Sequence, residues 1–176
     1  MALETLKSYG YKVIRPVTPN NKDVPSEYEK AVLSLWGKDD LLVIEHDIVP
    51  TLQAILQIEY CKYPICANDY PFHRIDASQK PYTRSSCRVV IYDNNVGHEH
   101  RIDSTDDWAD FVGLGFTRFR KKFMKKNKPG WKPGTWIDLD TRISHWTHEI
   151  VNMQWHIHRP PLMHNHPHQY QMQQQH

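Results

Sequence analysis

Several short stretches concentrate side chains suited to chemistry. The first is Glu45, His46 and Asp47, which end the apolar run "LLVIEHDIVP". Four of the five residues before Glu45 are Leu or branched aliphatics. A run that apolar is expected to be buried, and closing it on two carboxylates and an imidazole is costly unless something offsets their desolvation. Glu45 and Asp47 stand at i and i+2, so a strand points both to one side. Carboxylate oxygens are hard ligands suited to Mg²⁺ or Mn²⁺, cations that usually keep water and substrate phosphate in their shell. The alternative is a solvated strand end with two surface acids.

A second set is His156, His158, His164 and His166, in "HIHRPPLMHNH". Imidazole ligates Mn²⁺, Zn²⁺ and iron, and one of these rings is suited to complete a shell begun at Asp47. No CxxC or HExxH accompanies them. A third is "WIDLD", where Asp138 and Asp140 precede an expected helix. Each acid is either a helix cap or a general base for a hydroxyl nucleophile. In "GLGFTRF", Gly113 and Gly115 permit close backbone approach to a ligand, without completing GxGxxG. The tract "RFRKKFMKKNKPGWK" offers cations to phosphates, or forms a helix with Phe119 and Phe123 turned inward; the inward helix is the commoner outcome.

The elements expected to position these residues alternate. "YKVIRPVTP" reads as a short strand, then "SEYEKAVLSLWG" as a helix capped by Ser26 and closed by Gly37. "DLLVIEHDIVP" has the continuous apolar character of a strand covered on both faces. Pro50 and Thr51 begin a second helix with Leu52, Ile55 and Leu56 facing the core, and "YPICANDYPF" is a short strand and loop. This β-α-β-α-β order predicts an α/β fold with a mostly parallel central sheet flanked by helices. Ligands of such sheets bind at the strand carboxyl ends, where Glu45 to Asp47 fall. Further on, "RVVIYD" predicts a strand and a helix is expected from near Thr117. "IDLDTRISHWTHEI" predicts a turn and helix, and "QWHIH" a strand.

The chain has 176 residues, a length expected to form one domain over 1–167, followed by a polar tail over 168–176. A formal net charge of +2 predicts no overall field for nucleic acid or membrane. Six of the twelve histidines lie between His145 and His166. Cys61, Cys66 and Cys87 form no CxxC and read as small core residues in a reducing compartment. The N-terminus lacks the apolar region of a signal peptide, and no run is long enough to span a bilayer. A soluble, cytoplasmic protein is expected.

Taken in order, "EHD", "GLGFTRF", "DLD" and the late histidines resemble a metal-dependent GT-A glycosyltransferase, closest to the short family-2-like transferases predicted in phages, archaeal viruses and some bacteria. The resemblance runs from Lys12 to His166. It implies a GT-A-like domain, host-cytoplasmic if viral, that uses Mn²⁺ or Mg²⁺ and a UDP- or GDP-sugar to glycosylate a hydroxyl acceptor. In it Asp47 binds the cation bridging the donor diphosphate, and Glu45 contacts the ribose or metal waters. His46, Gly113 and Gly115 belong to the donor side. Asp140 or Asp138 is the acceptor-side base, and His158 or His164 the late metal ligand. Trp136 and Tyr70 would stack on a sugar ring. The first acid is Glu where the family has Asp. Two other classes fit the same residues: a metal-dependent phosphoesterase or nuclease built on Asp47 and the histidines, and an anion- or nucleic-acid-binding protein using Arg118 to Lys132.

Overall fold

The structure, a computed structural model, describes residues 2–14, 24–45, 48–75, 81–93, 96–102, 106–131, 139–160 and 163–164. Two helices come first, α1 (Ala2–Ser8) and α2 (Val24–Leu35). Strands β1 (Leu41–Ile44) and β2 (Ile48–Val49), helix α3 (Leu52–Tyr60) and strand β3 (Ile65–Asn68) follow. Two hairpins come next, β4 (Pro71–Ile75) with β5 (Pro81–Ser85), and β6 (Cys87–Asp93) with β7 (Val96–Arg101). Then come β8 (Trp108–Ala109), β9 (Phe111–Val112), β10 (Phe116–Phe119) and α4 (Lys121–Lys126). Helix α5 (Leu139–His145) continues into a wider π-helical turn over Trp146–Ile150, and β11 (Trp155–His158) and β12 (Met163–His164) close the described chain.

Among the described residues, the central sheet has five strands in the order β1-β10-β3-β11-β8. Only β3 and β11 pair in parallel; β1 with β10, β10 with β3 and β11 with β8 are antiparallel. The expected mostly parallel, GT-A-like sheet is therefore corrected to a mixed, mostly antiparallel one. The cause is β10. Its "FTRF" carries Thr117 and Arg118 and reads as a helix start, yet all four residues are buried and the strand inserts between β1 and β3. The helix begins only at Lys121. Strands β1, β3 and β11 still run in one direction, so their carboxyl ends share one edge of the sheet. The expected strand over Tyr11–Pro19 is also corrected: 11–14 has no regular structure, and 15–19 lies outside the described residues.

Arg118 is fully buried, which requires compensation for its charge. Its Nη1 donates to Glu59 O at 2.7 Å and its Nη2 to Cys61 O at 2.6 Å. Arg120 Nη2 also donates to Cys61 O, at 2.7 Å. Two guanidinium groups thus satisfy carbonyls left open at the negative end of α3. The N-terminus of that helix is capped as its sequence predicts, with Thr51 Oγ1 accepting from Ala54 N at 3.1 Å. Its buried residues are Ala54, Ile55 and Ile58, whereas Leu52 is 57% exposed, contrary to expectation.

Register assigns the two sheet faces. Val43, Thr117, Ala67 and Ile157 stand across from one another, as do Leu42, Arg118, Cys66 and His156 one step away. The first face packs with Val32 of α2, Phe123 of α4 and Ile143 of α5 around a cluster of Trp36, Trp131 and Trp146. The second packs with Leu6 of α1 and Ile55 and Ile58 of α3. A buried ion pair fastens α5 to α2: Arg142 Nη1 lies 2.7 Å from Glu29 Oε1. Trp131 Nε1 donates to that same oxygen at 2.8 Å.

Candidate functional site

The first cluster gathers at the carboxyl end of β1. Glu45 follows the strand, and its N–H donates to Gly115 O at 2.9 Å. Gly115 N–H in turn donates to the Tyr70 hydroxyl at 3.3 Å. Asp140 sits in the first turn of α5 and accepts from Thr141 N at 2.7 Å. Glu45 and Asp140, distant in sequence, act together on two phenols. Burial first, then the negative charges of Glu45 and Asp140, hold the Tyr28 hydroxyl well above the ordinary tyrosine range. The Tyr70 hydroxyl is raised likewise, by burial, then Glu45, then Asp140, against the lowering effect of Gly115 N–H. Both acids are only partly buried, so they keep contact with solvent while their fields converge. Backbone pairing adds a third segment: His164 of β12 stands opposite Ile48 of β2, the residue that follows Asp47. The side chain of His164, and His46, Asp47, Asp138, Trp136 and His166 as a whole, lie outside the described residues.

The two glycines of "GLGFTRF" have a packing reason. A Cβ on Gly115 would lie 2.6 Å from Tyr70 Cζ, and one on Gly113 would collide with the Tyr70 hydroxyl. Tyr70 fills the space that the glycines leave and is itself 6% exposed, so its ring is no open platform for a sugar. Its contribution here is to brace Gly115, and through it Glu45.

A second cluster lies on the α3 side. Cys61 ends α3, and His156 and His158 project from β11 on the sheet face that packs against α3. One ligand atom from each lies within 4.8 Å of the others. Cys61 Sγ stands 3.5 Å from His156 Nδ1, and the two imidazoles meet edge to face at 4.7 Å between centroids. His156 also packs against Tyr63 and Trp108, which touch each other. A hydrogen bond from the Cys66 thiol is the main cause that lowers the Cys61 thiol below its usual range, with the His158 imidazole assisting against burial. The same bond, with burial, raises the Cys66 thiol. Burial lowers His156. His158, expected beside the acids, is thus grouped with Cys61 and His156. Among the described residues this is the one group of three or more His, Cys, Asp and Glu side chains spaced to hold a metal.

The sequence signal for this cluster was half visible. The i, i+2 spacing of His156 and His158 in a strand predicts a shared side, but nothing in the chain links them to Cys61, which joins only because β3 and β11 pair. All three cysteines are free and buried, as small core residues would be. Three cations of the basic tract are engaged, whereas Lys122, Lys125, Lys126 and Lys128 are exposed. Arg118 is buried, Arg120 pairs with Asp40 at 2.8 Å, and Lys121 pairs with Asp39 at 2.9 Å. No described helix is long and apolar enough to cross a membrane. Comparison with protein-family models, with curated proteins and with solved structures finds no match in any of the three.

Proposed function

We propose that this chain is a divalent-metal-dependent glycosyltransferase that moves a sugar from a nucleoside-diphosphate sugar to a hydroxyl acceptor. The observation that carries the reading is convergence. Glu45 and Asp140, from motifs far apart in sequence, set their charges on the same two tyrosine hydroxyls. The late-histidine segment pairs with the strand that follows "EHD". Carboxylate oxygens at a strand end suit a hard cation, and Glu45 is a described donor of that kind. Asp47 is its partner in this reading. When bound, Mn²⁺ or Mg²⁺ would offset the charge growing on the leaving diphosphate.

The chain's own residues then have distinct tasks. Asp140, partly solvated, accepts the proton of the acceptor hydroxyl as that oxygen attacks the anomeric carbon. Glu45 orients the donor, its backbone held by the N–H bond to Gly115 O. The tyrosine hydroxyls stay protonated, first because they are buried and then because of the charges of the two acids.

Calorimetry with UDP and GDP, with and without Mn²⁺, tests the reading, followed by a screen of nucleotide sugars for metal-dependent hydrolysis. Nucleotide should bind only with metal present, and Asp47→Ala should abolish that binding. Asp140→Asn should keep it while lowering turnover by about 10²–10⁴-fold. Unchanged nucleotide affinity in Asp47→Ala with Mn²⁺ present would refute the proposal.

A further inference from the structure

We infer that Cys61, His156 and His158 form a site for a borderline-soft divalent cation, zinc above all, separate from the acidic cluster. The argument begins with distances. A tetrahedral zinc with bonds of about 2.0–2.3 Å holds neighbouring N and S ligand atoms roughly 3.3–3.6 Å apart. Cys61 Sγ and His156 Nδ1 are already 3.5 Å apart, and the whole triad falls within 4.8 Å, so a small rotation of the His158 ring closes the set.

Unsatisfied polar atoms point the same way. His158 Nε2 is buried with no hydrogen-bond partner. Asn68 stands beside His158 in the β3–β11 register, and its fully buried side chain also has an unpartnered Oδ1. Buried polar atoms without partners are uncommon, and a bound ion or water is one of the usual reasons for them. A cation held in part by His158 Nε2 would satisfy the first of these atoms.

The donor set chooses the metal. One thiolate and two imidazoles suit Zn²⁺, whereas Mg²⁺ and Mn²⁺ prefer oxygen. The scaffold is rigid where it matters: the Cys61 carbonyl is held by both Arg118 and Arg120, and Tyr63 and Trp108 pack on the His156 ring. The ion would clip the end of α3 to β11. With three protein ligands it keeps one open position beside half-buried imidazoles, the arrangement of zinc sites that bind water or a ligand.

Cobalt(II) titration of the reduced full-length chain tests this, because a thiolate on cobalt gives a near-ultraviolet charge-transfer band that imidazole and carboxylate do not. One equivalent should produce the band, and zinc should displace it. Cys61→Ser should remove the band while Cys66→Ser keeps it. His156→Gln and His158→Gln should each weaken binding by at least the roughly 10–100-fold that loss of an outer-shell partner costs. Circular dichroism confirms that each variant is folded. Replacing His166, His168 and His176 together by Gln should leave the band intact. No thiolate band in the folded chain, or a band that survives Cys61→Ser or is lost with the tail histidines, overturns the inference. The readout involves no nucleotide, so its outcome is independent of transferase activity.

Discussion

The acidic cluster and the cysteine–histidine cluster occupy neighbouring parts of one sheet but are held by different means. Glu45 is carried just past the end of a strand, and Asp140 in the first turn of a helix. Their placement depends on supports behind them: Gly115 and Tyr70 for Glu45, and the Glu29–Arg142 pair for α5. Cys61, His156 and His158 are carried on the sheet face and a helix end that pack into the core, with ring contacts on His156 and guanidinium bonds on the Cys61 carbonyl. Partly solvated carboxylates at an edge keep the freedom to meet an exchanging substrate. Packed thiolate and imidazole groups are prearranged, which favours a resident ion.

That contrast is broken most severely by cutting the support under α5. Arg142→Ala leaves the Glu29 carboxylate buried without its partner, and loss of one member of such a pair costs about 3–5 kcal/mol. Urea unfolding should show that loss. In the fraction that remains folded, donor binding should weaken while the cobalt band of the second cluster persists. Equal damage to both would mean the two clusters are not independently supported.

A smaller effect is expected from Gly115→Ala. The added methyl meets the Tyr70 ring, and overpacking of this kind costs about 1–3 kcal/mol. Because Gly115 O holds the Glu45 N–H, the same substitution should raise the KM for donor more than a stability change alone predicts, and leave zinc affinity unaltered.

The smallest effect belongs to Tyr28→Phe. Its hydroxyl is buried with no hydrogen-bond partner, so removing it should change stability at neutral pH by less than about 1 kcal/mol. The difference emerges in alkali. The Tyr28 phenol is raised above the ordinary 10.0 in the folded chain and returns toward it on unfolding. The raised group therefore contributes stability that is whole below pH 10.0 and is lost as pH climbs toward the folded-state value. Tyr28→Phe should resist alkaline unfolding better than the unaltered chain. Indistinguishable alkaline midpoints would mean that burial and the neighbouring charges do not raise this hydroxyl.

What the sequence determined by itself were the features set by near neighbours in the chain. Thr51 caps a helix because its hydroxyl reaches an N–H three residues on, and "LLVI" and "WHIH" form strands through their own apolar or alternating character. The apolar run that halts at Glu45 marked an edge of the sheet for the same reason. Only the tertiary structure decided which strands lie side by side. β1, β3 and β11 run in the same direction, as a parallel reading predicts, but β10 enters between the first two and reverses the pairing. It was hidden because Arg118 looks like a surface cation until the carbonyls of Glu59 and Cys61, remote in sequence, are there to take its charge. The same remoteness concealed the grouping of Cys61 with two histidines. Pattern and capping act over a few residues of chain, whereas desolvation of a charge and assembly of a ligand set are settled by whatever the fold brings within a few ångströms.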